Sequence, residues 1–226
     1  MPTVPWHRID TVLLDMDGTL LDLYFDTYFW RQHVPLRYAQ KHGLEVDEAK
    51  ARLFPLFASV EGTIQWYCVD YWSRTLELDI AALKAEVDHL INVHPDVIPF
   101  LQRLRGSGRR ALLVTNAHHK ALTLKLTRTR LDRHLDGIVC AHDYGLPKEE
   151  PAFWDRLQAE TGFDAARTLM VDDSLAVLES ARQWGMGYLL AVARPDSRAP
   201  RREIAGFAAI DGFAEIMPPA RARIQS

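Results

Sequence analysis

The sequence predicts an α/β fold: a doubly wound parallel sheet with a helical cap inserted after its first strand. Three observations carry this. Short apolar runs end abruptly in polar residues, as strands buried on both faces do. Helical patterns separate those runs, which implies crossover connections and parallel pairing. Residues 22–92 break the alternation and carry helical patterns only.

The first strand is TVLLD at residues 11–15, followed by ALLVTN at 111–116, GIVCA at 137–141 and TLMVDD at 168–173. GYLLAV at 187–192 is a fifth and AAID at 208–211 a weak sixth. Between them, HPDVIPFLQRLRGSG has Pro95 near a helix start, apolar positions Val97, Ile98, Leu101 and Leu104, and glycines at its stop. Pro151 opens another helix, and Ser174 caps one that Gly185 ends. The expected division is residues 1–21 and 93–226 for the core and 22–92 for the cap, a size one core with an insertion accommodates.

Composition excludes several classes. At 48% hydrophobic and 25% charged the chain is neither disordered nor membrane-like, and 27 basic against 30 acidic residues attract neither nucleic acid nor an anionic bilayer. An anionic substrate therefore needs local cations. The opening MPTVPWHRID lacks a secretory pattern and the apolar runs are strand-sized, so a cytoplasmic protein without membrane partners is expected. Cys68 and Cys140 read as free thiols filling the core, with no metal-ligand spacing.

Chemistry gathers where strands end, since ligands of such sheets bind beyond their carboxyl ends. VLLDMDGTL delivers Asp15 and Asp17 with a Gly-Thr turn. Alone this is compatible with an Asx turn. Thr115 and Asn116 close the second strand and can hold phosphate oxygens, and Lys148 in YGLPKEEPAFW can neutralise a phosphoryl group. Asp172 and Asp173 close the fourth, an acidic pair that repels itself unless a cation intervenes. His118 and His119 follow nearby, but metal binding there would need partners. Tyr24, Tyr28, Trp66 and Tyr67 are the candidates for stacking on a substrate ring, although aromatics at helical spacing usually pack. ARPDSRAPRRE reads as a solvated loop and PPARARIQS as a frayed terminus.

In this order, DMDGT, LLVTN, Lys148 and VDDS resemble the four motifs of the haloacid-dehalogenase-like (HAD) hydrolases, whose core is Rossmann-like. The resemblance implies Asp15 as nucleophile, Asp17 as acid/base, Thr115, Asn116 and Lys148 at the phosphate, and a magnesium ion held by Asp15, Asp17 and Asp173 with Asp172 sharing. Two features depart from the family pattern: KEEP replaces KPxP, which places Glu149 as a change of loop alone, and Val177 stands where a second acid is usual. The presence of Asp17 argues against a dehalogenase, and motif order argues against a receiver-like signalling domain; a phosphomutase is the enzymatic alternative. DTVLLDMDGTLLDLYFDTYFW, WYCVDYW, TNAH and PKE are similar to the GMP/IMP nucleotidase branch, which implies a purine nucleoside monophosphate as the small phosphorylated substrate.

Overall fold

The computed structural model describes residues 3–220; residues 221–226, most of the tail expected to fray, lie outside them. Six parallel strands form one sheet: β1 (Thr11–Leu14), β2 (Arg110–Thr115), β3 (Gly137–Cys140), β4 (Thr168–Asp172), β5 (Tyr188–Val192) and β6 (Ala209–Ile210), in the order β3-β2-β1-β4-β5-β6. All six expected runs are strands, and the weak sixth is a short edge.

The continuous apolar character of β1 follows from burial on both faces. Val12 and Leu14 enter one core cluster and Leu13 the other, where it meets Leu112, Val114, Phe153 and Met170. Each such buried side chain contributes roughly 1.5–3 kcal/mol. In register, Leu14 lies beside Leu113 of β2 and Val171 of β4, so the polar residues ending these three central strands converge at one sheet edge.

The flanking helices begin and end on local chemistry. Pro151–Thr161 starts on proline, and Leu175–Trp184 starts where Ser174 Oγ accepts the Val177 N–H at 3.4 Å and stops at Gly185, whose φ is +106°. Val97–Gly106 and His119–Thr129 complete the set.

Residues 22–92 hold helices, among them Tyr24–Tyr28, Val34–His42, Val46–Ala58, Ile64–Tyr67, Val69–Leu76 and Ile80–Glu86. The insertion leaves and rejoins the sheet side by side, through a Leu21–Val93 bridge and an Asp22 N–H donating to Asn92 O at 2.9 Å. Its Phe25, Phe29, Phe57 and Trp72 are buried in the same cluster as Val12 and Leu14. Phe29–His33 winds as a π turn, with Val34 N–H bonding Phe29 O. Pro35 explains it: proline has no N–H for the Arg31 carbonyl and its ring crowds that group, so the preceding turn widens.

Two expectations need correction. The ARPDSRAPRRE segment is not merely solvated. Its Pro195 carbonyl accepts from Leu23 N–H at 2.8 Å, Ser197 Oγ donates to Asp22 at 2.5 Å, and Arg198 lies 3.8 Å from the Tyr24 ring centroid, so it clasps the root of the insertion. Cys140 is buried as expected, whereas Cys68 is only half-buried, between two helices, with Sγ accepting the Tyr71 N–H at 3.4 Å. Among the described residues no helix is long and apolar enough to cross a membrane.

Candidate active site

Asp15 follows β1 directly and is 6% exposed. Lys148, 1% exposed, donates from Nζ to Asp15 Oδ1 at 2.5 Å, to Asp172 Oδ2 at 2.7 Å and to the Val114 carbonyl at 3.2 Å. The ammonium is thus held between two carboxylates brought together by neighbouring strands. Its pKa lies above the usual lysine value: burial opposes the charge, but Asp15 and Asp172 outweigh it. Burial pushes Asp15 up to about 7 against the pull of Lys148, and Asp172 to about 6 for the same reason. The lysine loop is set by Asn116, whose Oδ1 accepts the Lys148 N–H at 2.9 Å. Thr115 Oγ1 accepts the Ala117 N–H at 3.0 Å, which shapes the turn after β2.

Asp173 points back toward β1. A Cβ built on Gly18, at φ +87°, would meet the Asp173 carboxyl at 2.7–2.9 Å, so this turn needs glycine both for its backbone and for space. Asp15, Asp172 and Asp173 offer oxygens within 4.8 Å of one another, a hard, all-carboxylate donor set that fits magnesium. Asp172 is the more engaged of the pair, since its Oδ1 also accepts the Ser174 N–H at 2.8 Å. Asp173 Oδ2 accepts from Arg202 at 2.6 Å, and Arg202 again belongs to the loop expected to be solvated.

Asp17 stands apart from this cluster. Lys125, 2% exposed, lies 2.7 Å from Asp17 Oδ1 and 2.6 Å from Asp26 Oδ2, and Lys84 reaches Asp26 Oδ1 at 2.8 Å. Burial raises Asp17 to about 6 while Lys125 opposes it. Asp26 is held well below the usual carboxylate range because the two lysines overcome its burial. Sequence reasoning missed this chain. Its signal was faint: Lys125 falls four residues after Ala121 and Lys84 four after Ile80, each on the buried face of its helix.

A family profile described as haloacid dehalogenase-like hydrolase matches residues 9–185. The chain belongs to the haloacid dehalogenase-like hydrolases. This hydrolase is 42% identical over 215 residues to the GMP/IMP nucleotidase YrfG of Escherichia coli (strain K12), covering 95% of the chain and 97% of the relative, and equally to that of Shigella flexneri. A HAD phosphatase from Thermococcus onnurineus shares its structure at TM-score 0.77 and 25% identity, covering 92% of this chain and 95% of that one. A putative beta-phosphoglucomutase from Thermotoga maritima shares the fold at TM-score 0.65 and 20% identity, covering 92% and 97%.

Beside the hydrolase's carboxylates a cavity of about 590 Å³ opens between sheet and insertion. Its lining combines Asp15, Asp17, Thr115, Asn116, Lys148, Asp172 and Asp173 from the core with Trp30, Phe54, Phe57, Trp66 and Tyr67 from the insertion. Of the four aromatics singled out in the sequence, Trp66 and Tyr67 line it and Tyr24 and Tyr28 do not. Helical spacing is the reason: Leu23, Asp26, Thr27, Trp30 and Arg31 face the cavity, which turns positions 24 and 28 away. Glu149 does more than change a loop. It accepts from Tyr67 Oη at 2.6 Å and from Asn116 Nδ2 at 2.9 Å, joining the insertion to the residue that orients the lysine loop.

Proposed function

We propose that this hydrolase is a magnesium-dependent phosphatase acting on purine nucleoside 5'-monophosphates through a phosphoryl group carried on Asp15, with residues 22–92 as a cap over the core. The observation that carries the reading is the buried Lys148 ammonium clamped between Asp15 and Asp172 at the cavity floor. Aspartate is a poor nucleophile, but phosphoryl transfer demands chiefly alignment and neutralised charge.

In the first step an Asp15 oxygen attacks phosphorus and the ester oxygen departs, taking a proton from Asp17. In the second, Asp17 accepts a proton from water, whose oxygen attacks the same phosphorus and frees Asp15 with inorganic phosphate. A carboxyl at about 6 suits both duties, since each protonation state is accessible near neutrality. Lys148 holds Asp15 oriented and offsets phosphate charge, while Thr115 and Asn116 contribute the second-strand turn that receives its oxygens. Asp15, the Asp17 carbonyl and Asp173 would hold the magnesium ion, with Asp172 fixing Lys148; the ion, when bound, supplies the positive charge that lets phosphate approach four aspartates.

Substrate choice falls to the cap, because the core reads only the phosphoryl group. Support for a purine ester is the relative named a GMP/IMP nucleotidase and a cavity to whose lining the insertion contributes Trp66, Tyr67, Trp30 and Phe57. The test is phosphate release from GMP, IMP, AMP, ribose 5-phosphate and glucose 6-phosphate with magnesium present. GMP and IMP should lead in kcat/KM; sugar phosphates ahead of every nucleotide would remove the nucleotidase assignment and leave the phosphatase.

A further inference from the structure

Two sequence features remain unused by this chemistry: the cysteine of WYCVDYW and the histidines after the second and third strands. The fold brings them together. Cys68 lies in the insertion, one residue from Tyr67, while His118 follows the β2 turn and His142 opens the short helix after β3. One ligand atom from each lies within 4.8 Å of the other two. The two imidazoles meet edge to face with centroids 4.9 Å apart.

His142 and Cys68 are available to bind, and His118 becomes so when its Nδ1 gives up the long 3.3 Å hydrogen bond it accepts from the Lys120 N–H. His142 Nε2 is buried without a hydrogen-bond partner among the described residues, an arrangement that native proteins seldom leave unless water or an ion satisfies it. Burial first, then the neighbouring imidazoles, pushes His142 down to about 4, so its ring is neutral at physiological pH. The Asp70 carboxylate stands 3.7 Å from His118 Nε2, where it can orient a ligating ring as outer-shell carboxylates do. Among the described residues Cys68 Sγ engages only the Tyr71 N–H, at 3.4 Å.

We propose that Cys68, His118 and His142 form a second metal site, for zinc or a similarly borderline-soft divalent ion, that pins the insertion to the core beside the substrate cavity. One sulfur and two imidazole nitrogens suit zinc and not magnesium, so the site is chemically distinct from the carboxylate cluster. A tetrahedral ion with bonds of about 2.0–2.3 Å brings its ligands to roughly 3.3–3.8 Å, a contraction of at most about 1.5 Å that side-chain rotation supplies. Three protein ligands leave the fourth position to water. Because the ligands span insertion and core, a bound ion resists their separation, and separation is what releases product from a cavity closed by a cap. The ion is therefore a brake on turnover, whichever phosphate ester is hydrolysed.

The test titrates the full chain with Co²⁺ in excess Mg²⁺. The expected result is one equivalent bound with a thiolate-to-cobalt absorption band, lost in Cys68→Ser, weakened at least about tenfold in His142→Gln, and retained in Cys140→Ser. With the unaltered chain, one equivalent of zinc should slow alkylation of Cys68 by iodoacetamide and lower kcat in saturating magnesium. Absence of the band, its survival in Cys68→Ser, or unprotected Cys68 would overturn the site. A band lost in Cys140→Ser instead would move the ion to His119, Cys140 and Asp143, which also cluster. Zinc inhibition that persists in Cys68→Ser would overturn the brake.

Discussion

Asp17 sits between burial, which favours its protonated form, and the Lys125 ammonium 2.7 Å away, which favours the carboxylate. Lys125→Met removes the second influence, so the Asp17 pKa should rise above about 6 and the alkaline limb of kcat should shift to higher pH. A limb that stays in place would mean that Asp17 is not the proton donor to the leaving group. The same variant takes from Asp17 its ion-pair partner and leaves the part-buried Asp26 with Lys84 alone, and should cost about 1–3 kcal/mol of stability in denaturant melts. Residues of this kind were the least legible in the sequence. Asp15, Asp17 and Asp173 stand at or just past strand ends, where a polar residue after an apolar run announces itself, and Lys148 follows in the loop between the third and fourth strands. Lys125, Lys84 and Glu149 have no such contrast around them, and their partners lie far off along the chain: Lys125 and Asp17 meet only because helix and strand are stacked.

At the scale of the element, the turn after β1 is defined by close approach. Gly18→Ala would force a Cβ to within 2.7–2.9 Å of the Asp173 carboxyl in a left-handed backbone, so it should cost about 1–3 kcal/mol and weaken magnesium affinity together. A stable variant with unchanged magnesium dependence would contradict the role given to Asp173. Across the cavity, the Tyr67 hydroxyl donates to a carboxylate, a bond worth about 1.5–3 kcal/mol. Tyr67→Phe should therefore lower Tm by several degrees and kcat/KM on nucleotides about tenfold or more; an unaltered kcat/KM would reduce the contact to packing. The strands and their connecting helices were readable because period and punctuation repeat along the chain. The π turn and the clasp by residues 195–202 were not, since Pro35 shows a disrupted helix without its form and an arginine-rich loop looks solvated until its partners are known.

For the whole molecule, three buried carboxylates and the half-buried Asp17 shape the response to pH. Burial raises Asp15 to about 7 and Asp17, Asp172 and Asp173 each to about 6, above the ordinary 3.8. The folded state therefore binds more protons than the unfolded one between those values, so the stability these groups contribute is present below about pH 4 and is lost as pH rises through about 6–7. On the proposed reading magnesium binds the ionised form, so it should reverse that loss. The magnesium-induced rise in Tm should be larger at pH 8 than at pH 5, and a rise that is equal or greater at pH 5 would contradict a site built from these carboxylates.

The central claim is that Asp15 takes the phosphoryl group from a purine nucleotide. Single-turnover reaction of the unaltered chain with 5'-³²P-labelled IMP in magnesium, quenched in acid, should leave label on the peptide containing Asp15, sensitive to hydroxylamine as an acyl phosphate is, and Asp15→Asn should abolish both label and turnover while keeping the fold. Label on a histidine, or phosphate release by Asp15→Asn, would contradict it.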